Sequence, residues 1–525
     1  VYKRQAQGRY DEALALIKRE NPLPAICGRV CNRRCEDACT RGRVDAAVAI
    51  DEVKKFIAQR DLDAATRYVP PVVTPTRAGG FDQKIAIIGA GPAGLSCAFY
   101  LAEKGYKPVV FEKNERPGGM LTYGIPSFKL QKDVIEAEVE VIRLMGAEFR
   151  YGVEVGRDVT LDELRAQGFK AFYVAIGCQG GRLAGIPGED AEDVTVAVDF
   201  LREVNSGKID TLSGRTIVVG GGNVAIDVAR NACRLGSEHV EMFCLESEAQ
   251  MPASEEERRE AIEDGAHISC GWGPKEVHLD ETGRVCGITF KRCTRVFDDK
   301  GRFAPEYDEN DLRRVDADRV VMSIGQSIVW GDLLAGSKVE LGRGQGVLAD
   351  PQTYQTAEPD IFVGGDVYTG PSFAIDAIAA GHEAAVSIHR FVQPGSTLTI
   401  GRNQRRYTAL DRDDVVLEGY DNASREVAHV DREREKAAPF SEYVETFTEE
   451  QVRAETARCL GCGASIVDPN KCIGCGLCTT KCAFDAIHLD RDRPECSTMV
   501  KYEQKLPSLG KYALKRAIKI KFGKK

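Results

Sequence analysis

A membrane-spanning helix needs about 18 or more consecutive apolar residues, and no apolar run in the sequence approaches that length. The sequence has no excess of basic residues either, since the net charge is −9, which argues against nucleic-acid binding. The first residues, VYKRQAQGRY, lack the pattern of a signal peptide and do not start with Met. We therefore expect a soluble cytoplasmic protein and further residues upstream. The seven histidines follow no ligand-like pattern, and we nominate no catalytic residue.

Cysteine is the residue that stands out, with 18 copies. Ten of them lie in two short clusters, at 27–39 and 459–482. A disulfide framework is the alternative, but it is typical of short secreted chains. Clustered thiols in a long chain without an export signal favour metal or iron–sulfur ligation. We expect the seven cysteines scattered through the middle of the chain to be core thiols: Cys97, Cys178, Cys233, Cys244, Cys270, Cys286 and Cys293.

The segment KIAIIGAGPAGLSCAFYLAEKGYKPVVFEK, residues 84–113, predicts a dinucleotide-binding unit. A buried strand leads into Gly89-x-Gly91-x-x-Gly94, a helix follows, and a second strand ends at Glu112. The glycines allow a tight turn, close approach of a pyrophosphate and close packing of helix on strand, and Glu112 is placed to accept hydrogen bonds from a ribose. A purely structural glycine turn is the alternative.

Two other segments favour FAD in this first site. Gly118, Gly119 and Gly124 provide backbone that a ligand can approach, although a surface loop is the alternative. In DIFVGGDVYTGPSFAIDAIAAG a strand ends at Gly365-Asp366 before a helix of small residues, which suits the ribityl and phosphate part of FAD.

A second unit, TIVVGGGNVAIDVARNACRLG at residues 216–236, lies inside the first. Gly220-x-Gly222-x-x-Ala225 matches the fingerprint form that ends in Ala. The next strand ends at Glu246, which can bind a ribose 2′-hydroxyl and would repel a 2′-phosphate, so we favour NAD(H) over NADP(H). A fold retained without its ligand is the alternative.

The C-terminal cysteines have the spacing of a bacterial ferredoxin, Cys472-x2-Cys475-x2-Cys478-x3-Cys482. A second cluster would use Cys459, Cys462 and Cys482, with Cys496 as a further candidate ligand. Ser465, however, stands where a third cysteine would fall, and Ala483 replaces the usual Pro. A zinc site is the alternative.

The N-terminal cysteines are spaced four apart. Residues four apart on one straight helix drift by about 40° per step, so the segment must bend if all four are to converge. Zinc, unliganded thiols and clusters shared with upstream cysteines are alternatives. The four predicted ligands are Cys27, Cys31, Cys35 and Cys39.

This arrangement, with CGRVCNRRCEDAC, IIGAGPAGL, ERPGGML, VVGGGNVAIDVAR and FVGGDV in order, resembles the glutamate synthase small-subunit family over residues 15–395. The family also includes the corresponding part of dihydropyrimidine dehydrogenase. The C-terminal cysteines are similar to ferredoxin extensions in anaerobic multi-subunit redox complexes. In two departures, Leu245 and Glu246 stand where NADPH-using members carry an Arg pair, and the N-terminal cysteine spacing is narrower than in many members.

The resemblance implies an α/β protein with two Rossmann-like domains, one inserted in the other, flanked by a helical N-terminal iron–sulfur domain and a C-terminal ferredoxin-like domain. The expected boundaries are 1–80 for the N-terminal domain, 81–200 plus 335–395 for the FAD domain, 201–334 for the NAD(P) domain, 396–450 for a connector, and 451–525 for the ferredoxin-like domain with its basic tail.

The expected cofactors are FAD, NAD(H) and two or more 4Fe-4S clusters. The expected partners are other redox subunits, with ferredoxin as a further candidate. The basic tail, residues 501–525, is either a solvated helix or a docking element for an acidic partner. An electron-relay subunit with a vestigial nucleotide site and a true glutamate synthase subunit are the rival functions. The predicted cofactor-binding residues are Gly89, Gly91, Pro92, Ala93, Gly94, Glu112, Lys113, Gly118, Gly119, Met120, Leu121, Gly124, Ile125, Gly177, Gly220, Gly222, Asn223, Val224, Glu246, Gly325, Gly365, Asp366 and Ala374.

Overall fold

The computed structural model describes residues 8–73, 80–400, 402, 420–462, 472–481, 487–489 and 502–522. The chain divides into two compact units. The first comprises Val1–Arg402 and Leu417–Leu460, and the second comprises Asn403–Val416 and Gly461–Lys525.

The first unit begins with short helices. They are α1 (Tyr10–Lys18), α2 (Pro24–Val30), α3 (Arg34–Asp37) and α4 (Ile50–Leu62). Helices α1 and α4 enclose a small apolar core to which Phe447 and Val452, far along the chain, also contribute. Leu23 and Ile26 are buried instead in the core of the first nucleotide-binding domain. The N-terminal segment is therefore anchored on both sides.

Strands and helices then alternate, as the βαβ pattern predicts. Up to residue 205 they are β1 (Lys84–Ile88), α5 (Pro92–Glu103), β2 (Val109–Glu112), α6 (Met120–Tyr123), α7 (Lys132–Leu144), β3 (Glu148–Tyr151), α8 (Leu161–Ala166), β4 (Phe169–Val174), β5 (Gly180–Gly181), β6 (Val194–Val196) and α9 (Ala197–Asn205).

The elements from residue 215 to residue 392 continue this alternation, with an antiparallel section in the middle. They are β7 (Arg215–Val219), α10 (Asn223–Arg234), β8 (His239–Cys244), α11 (Glu255–Glu263), β9 (His267–Cys270), β10 (Trp272–Leu279), β11 (Val285–Phe297), β12 (Phe303–Val315), β13 (Arg319–Met322), β14 (Gln326–Ser327), β15 (Ile361–Val363), α12 (Asp366–Thr369) and α13 (Ala374–Val392).

Two parallel five-stranded sheets result, with the orders β15-β4-β1-β2-β3 and β6-β13-β7-β8-β9. In the central strands β1 and β7 every residue after the first is buried, as expected where helices cover both faces. The strands β10, β11 and β12 form an antiparallel sheet, and β5 pairs with β14 in a two-stranded ribbon. The prediction of one Rossmann-like domain inserted in another is confirmed.

The expected boundaries around the insert need correction. Strand β6 pairs with β13, and Phe200 and Leu201 of α9 are buried in the core of the second domain, so a boundary after residue 200 cuts through a helix of the insert. At the other end, Trp330 and Leu333 pack in the core of the first domain, although they lie before residue 335. Strand pairing and burial set these limits, and neither leaves a local mark in the sequence.

The segment 420–460 is more structured than an extended connector. It contains α14 (Arg432–Ala437) and α15 (Glu449–Ala457), and α15 packs against α4. Its residues belong to the first unit up to Leu460, so the boundary expected at residue 451 is also displaced.

The described part of the second unit contains α16 (Leu477–Lys481) and α17 (Tyr502–Phe522). Helix α17 carries the basic tail, and its Leu506, Leu509 and Leu514 side chains are exposed. None of the helices in the described ranges has the length and apolar character to cross a membrane.

Candidate functional site

The first glycine turn joins β1 to α5 and has the geometry that its sequence predicts. Gly89 has a φ of +105°, a conformation that favours glycine. A Cβ atom added to Gly94 would lie 1.9 Å from the carbonyl oxygen of Gly89, so α5 packs on the turn at a distance that only glycine allows. At Gly91 an added Cβ would meet no atom within 4 Å, and this backbone is the open face of the turn.

The loop of Gly118 and Gly119 covers that open face from one side. The Gly118 amide donates to the carbonyl oxygen of Ala90 at 2.8 Å. A Cβ on Gly119 would lie 3.1 Å from Cα of Gly91, whereas one on Gly118 would lie 2.2 Å from Oγ1 of Thr122. Gly119 therefore approaches the open face, and Gly118 is a packing position.

Glu112 ends β2 and is only 2% exposed. Its Oε2 accepts a hydrogen bond from the Ala90 amide at 2.8 Å, and its Oε1 accepts from the backbone and side-chain nitrogens of Asn114 at 2.9 and 2.6 Å. The carboxylate thus lies against the glycine turn, and Oε2, which accepts only the Ala90 bond, retains lone-pair capacity for a ribose hydroxyl.

Asp366 lies on the opposite side of the turn, at the start of α12. Its Oδ1 accepts a hydrogen bond from the Ser372 amide at 3.2 Å. Burial raises the pKa of the Asp366 carboxyl to about 6. The preceding Gly365 lies against the turn, since a Cβ there would be 3.1 Å from Cβ of Ala93.

The second glycine turn joins β7 to α10. A Cβ on Gly220 would lie 2.3 Å from the carbonyl oxygen of Ser323, whereas one on Gly222 would meet nothing within 4 Å. Ala225 is fully buried at the position of the third glycine. The side chain of Asn223 holds the following loop, because its Oδ1 accepts from the Ser254 amide at 3.2 Å.

Glu246 lies beside this second turn. A Cβ on Gly221 would lie 3.0 Å from its Oε2. The next arginine along the chain, Arg258, donates from Nη1 to the carbonyl oxygen of Glu248 at 2.8 Å. A carboxylate and not a guanidinium therefore lies at the end of β8.

A cavity of about 830 Å³ extends from the first glycine turn to Asn223 and Val224, which follow the second glycine turn at the start of α10. Cys31, Asn32 and Arg33 of the N-terminal segment also line it. So do Gln179 and Phe373, two residues that the sequence motifs did not predict. The cavity brings together these predicted residues: Gly89, Gly91, Pro92, Ala93, Glu112, Gly119, Met120, Leu121, Gly124, Ile125, Gly177, Asn223, Val224, Gly365, Asp366 and Ala374.

Seven predicted residues do not line this cavity. Exposed Lys113 lines a smaller cavity of about 40 Å³ beside Glu112. Gly325 follows β13, and a Cβ atom added to it would lie 3.6 Å from Cδ of Arg182. The others serve the turns as described above: Gly94, Gly118, Gly220, Gly222 and Glu246. Gln179 and Phe373 carried no motif in the sequence, so only the fold brings them to the site.

The N-terminal cysteine segment bends, as the spacing requires. Helix α2 ends before Cys31, whose ψ of 142° is extended, and Arg33 has a φ of +56° before α3 begins. Burial raises the pKa of the Cys27 thiol to about 12 and that of Cys35 to about 11. Across the described ranges no three His, Cys, Asp or Glu side chains are grouped closely enough to hold a metal ion.

The described C-terminal cysteines are all exposed. They are Cys459 in the first unit and Cys462, Cys472, Cys475 and Cys478 in the second. The tight turns in the Cys472–Cys478 run use Gly474 and Gly476, with φ of +68° and +77°. Cys482 and Cys496, with Ser465 and Ala483, lie outside the described residues.

Comparison with known proteins assigns the same parts. Residues 83–381 match the family described as pyridine nucleotide-disulphide oxidoreductase. Residues 2–66 match the 4Fe-4S cluster family of dihydropyrimidine dehydrogenase domain II, and residues 465–488 match the 4Fe-4S binding domain.

Two relatives extend the match beyond single domains. The chain is 35% identical over 490 residues to the NADP(+)-dependent formate dehydrogenase subunit beta of Moorella thermoacetica, covering 87% of this chain and 67% of the relative. It is 35% identical over 408 residues to the glutamate synthase [NADPH] small chain of Escherichia coli K12, covering 74% and 84%. The structure of a His57Gln mutant of FprA from Mycobacterium tuberculosis has the same fold over 59% of this chain and 85% of its own, with a TM-score of 0.52 and 19% identity.

Proposed function

The chain belongs to the pyridine nucleotide-disulphide oxidoreductase family, and from that membership we propose that it exchanges electrons between NAD(H) and a partner redox subunit. The resemblance to glutamate synthase small chains noted in the sequence is confirmed. The protein is an FAD-dependent iron–sulfur oxidoreductase with 4Fe-4S domains. The nucleotide preference, the residues of each site and the anaerobic multi-subunit complex in which it works are parts of the proposal.

The single observation that carries this proposal is the continuity of the cavity. Gly91 of the first turn, Asn223 directly after the second turn and Cys31 of the N-terminal segment line the same 830 Å³ space. A hydride donor, a flavin and the thiolate ligand of a cluster would therefore share one continuous cavity.

The residues of the first turn fit FAD. Bound FAD supplies the conversion between a two-electron hydride and single electrons. The open backbone at Gly91, at the N-terminus of α5, would accept the pyrophosphate. Glu112 would bind the ribose, and Asp366 would hold the ribityl side.

Glu246 supports NAD(H) as the nucleotide at the second turn. Its carboxylate lies within contact distance of the turn, where it would accept hydrogen bonds from a ribose 2′-hydroxyl and repel a 2′-phosphate. Both relatives named above carry NADP or NADPH in their names, so this chain is expected to differ from them in nucleotide preference.

The two cysteine groups would carry the electrons onward. The N-terminal segment, residues 2–66, and the C-terminal run from Cys472 would hold 4Fe-4S clusters. The partner is proposed to be another redox subunit or a ferredoxin, because the Moorella relative is itself named as a subunit.

An anaerobic titration of the purified protein tests the proposal. We expect NADH to bleach the flavin absorbance and to give the electron-paramagnetic-resonance signal of a reduced cluster, with NADPH much less effective. Bleaching by neither nucleotide would overturn the oxidoreductase role and favour a relay subunit that is reduced only through its partner. Bleaching by NADPH in preference to NADH would overturn only the role given to Glu246.

A glutamate synthase subunit is the second candidate, since the chain covers 84% of the Escherichia coli small chain. The C-terminal 4Fe-4S domain distinguishes this chain from that candidate function. Purification of the native complex decides between the two: a glutamine-cleaving partner subunit would support glutamate synthase, and a redox subunit would support the proposal above.

A further inference from the structure

Two cysteine thiols face each other at the nucleotide end of the second sheet. Cys244 is the last residue of β8 and Cys270 the last residue of β9, and the two are direct partners in the parallel ladder. Their sulfur atoms are 3.7 Å apart. Cys244 is 2% exposed, whereas Cys270 is half-buried.

The backbone geometry suits a disulfide between them. Neighbouring parallel strands lie about 4.8 Å apart. That spacing falls within the Cα separations of about 4.4 to 6.8 Å that a disulfide spans. In-register residues also direct their side chains to the same face of the sheet. The sulfur atoms therefore reach bonding distance through side-chain rotation and small strand shifts.

Cys244 also touches the nucleotide site directly. A Cβ on Gly221, in the second glycine turn, would lie 2.9 Å from Cβ of Cys244 and 3.5 Å from its sulfur. The Cys244 thiol is within hydrogen-bonding distance of the carbonyl oxygen of Glu246, at 3.7 Å. The Cys244 sulfur thus lies beside both the turn and the backbone of Glu246.

We propose that Cys244 and Cys270 form a reversible disulfide that weakens nucleotide binding when the surroundings become oxidising. The oxidant is a small disulfide such as oxidised glutathione. The more exposed Cys270 thiolate attacks one of its sulfurs and releases one glutathione, and the Cys244 sulfur, losing its proton to solvent, then displaces the second. Two protein thiols are oxidised and one glutathione disulfide is reduced to two thiols.

The reduced pair is the resting state. Burial, together with the neighbouring Cys270, raises the pKa of the Cys244 thiol, so Cys244 stays protonated and unreactive until Cys270 has been modified. Forming the bond draws the Cys244 sulfur toward β9 and removes the proton that it can donate to Glu246. Because the Cys244 sulfur lies beside Gly221, its movement displaces the turn that would hold the nucleotide, and we expect about a tenfold weaker affinity for NADH. This consequence rests on the proposed function, whereas the disulfide itself does not.

The test equilibrates the full-length holoprotein anaerobically in glutathione buffers of increasing oxidised fraction. At each step, free thiols are alkylated and the digest is searched by mass spectrometry for the peptide that links Cys244 to Cys270. The Kd for NADH and the rate of flavin reduction are measured on the same samples. We expect the linked peptide and a roughly tenfold rise in Kd to develop together, with the limiting reduction rate nearly constant.

Matched variants isolate the pair. Cys270→Ser should abolish both the linked peptide and the oxidative rise in Kd, while Cys286→Ser, on β11, should behave as the parent protein. If NADH binds the reduced protein but no Cys244–Cys270 peptide forms, or the peptide forms without a change in Kd, the inference is overturned. If NADH fails to bind the reduced protein at all, the proposed function fails first, and a linked peptide still establishes the disulfide.

Discussion

The two glycine turns of this chain start from the same strand–turn–helix unit and end in different surroundings. The first has glycine at its third position, where an added Cβ would be 1.9 Å from the carbonyl oxygen of Gly89. The second has Ala225 at the same place, fully buried without any such collision. The helix of the first unit is therefore closer to its turn than that of the second.

Segments from elsewhere in the chain also cover the first turn. A Cβ on Gly381 of α13 would lie 2.2 Å from the Ala93 carbonyl oxygen, and Gly119 and Gly365 approach the same turn from other segments. Beside the second turn lie the half-buried Glu246 and the loop held by Asn223. This difference suits a prosthetic group that stays bound at the first turn and a nucleotide that exchanges at the second.

Substitutions at two glycines of the first turn sharpen this contrast most. Gly94→Ala places a methyl group closer to a backbone oxygen than van der Waals contact allows. We expect the free energy of unfolding to fall by more than about 4 kcal/mol and the bound flavin to be lost. Gly91→Ala, at a φ of −77° with no neighbouring atom, should cost under about 1 kcal/mol in folding and yet lower flavin occupancy, because its methyl group fills the ligand's space. Urea unfolding and the flavin-to-protein ratio measure both effects. A Gly94→Ala protein with full flavin content would contradict the packing argument.

Charged side chains contribute to the contact between the second domain and its surroundings, and Arg234 is one of them. The Arg234 side chain, 5% exposed, donates to Asp264 of the insert and to Glu435 and the Pro439 carbonyl oxygen of the segment 420–460. Its guanidinium also stacks on Phe128 of the first domain at 4.3 Å.

Arg234→Met keeps most of the volume, and Asp264 and Glu435 retain Arg230 and Arg432 as partners. The Pro439 carbonyl oxygen loses its hydrogen bond, and we expect a loss of about 1 to 3 kcal/mol in unfolding free energy. Arg295→Ala is the control, because its partners Asp299 and Glu306 are 98% and 58% exposed and such pairs contribute about 0 to 1 kcal/mol. Equal effects of the two substitutions in urea unfolding would show that Arg234 does not bridge the domains.

The contrast between the two turns could be predicted only in part from the sequence. The turns, the bend at Cys31 and the nested domains follow from local spacing, because the residues that make each feature are neighbours in the chain. The contacts of Arg234 with Glu435 and the pairing of β6 with β13 join residues far apart in sequence, and no local pattern encodes them. For the same reason the predicted boundary fell inside α9.

The hydrogen bonds of Glu112 are a second kind of feature that the sequence does not predict. The distance of Glu112 from Gly94 indicated a ribose-binding role, but not that the Ala90 amide and Asn114 already bond to its two oxygens. Motif spacing predicts which residues reach a site, whereas the hydrogen bonds that orient them depend on loops whose conformation the spacing leaves open.

Nucleotide preference is the functional side of the comparison and depends on the second turn alone. Glu246→Gln keeps the size of the side chain and removes its charge. We expect the ratio of kcat/KM for NADH to that for NADPH to fall about 10- to 100-fold, since hydrogen bonds to charged groups contribute about 1.5 to 3 kcal/mol. The flavin content should not change, because Glu246 lies outside the first site. Glu248→Gln, two residues along on the exposed loop, is the matched control, and an unchanged ratio in Glu246→Gln would remove the basis for preferring NAD(H).

The smallest expected effect concerns Asp366 and the pH dependence of the flavin-free protein. Burial raises the pKa of its carboxyl from the ordinary 3.8 to about 6 in the folded state. Between these values the folded state holds a proton that the unfolded state has released, so stability falls as the pH rises from about 4 to about 6. The full shift would correspond to about 3 kcal/mol, and we expect about 1 kcal/mol because the side chain is only half-buried and solvent screens it. Asp366→Asn should flatten that slope and leave the stability at pH 4 nearly unchanged. Urea unfolding from pH 4 to pH 7 measures the difference between variant and parent, and parallel curves would show that Asp366 ionises in the folded protein as it does in water.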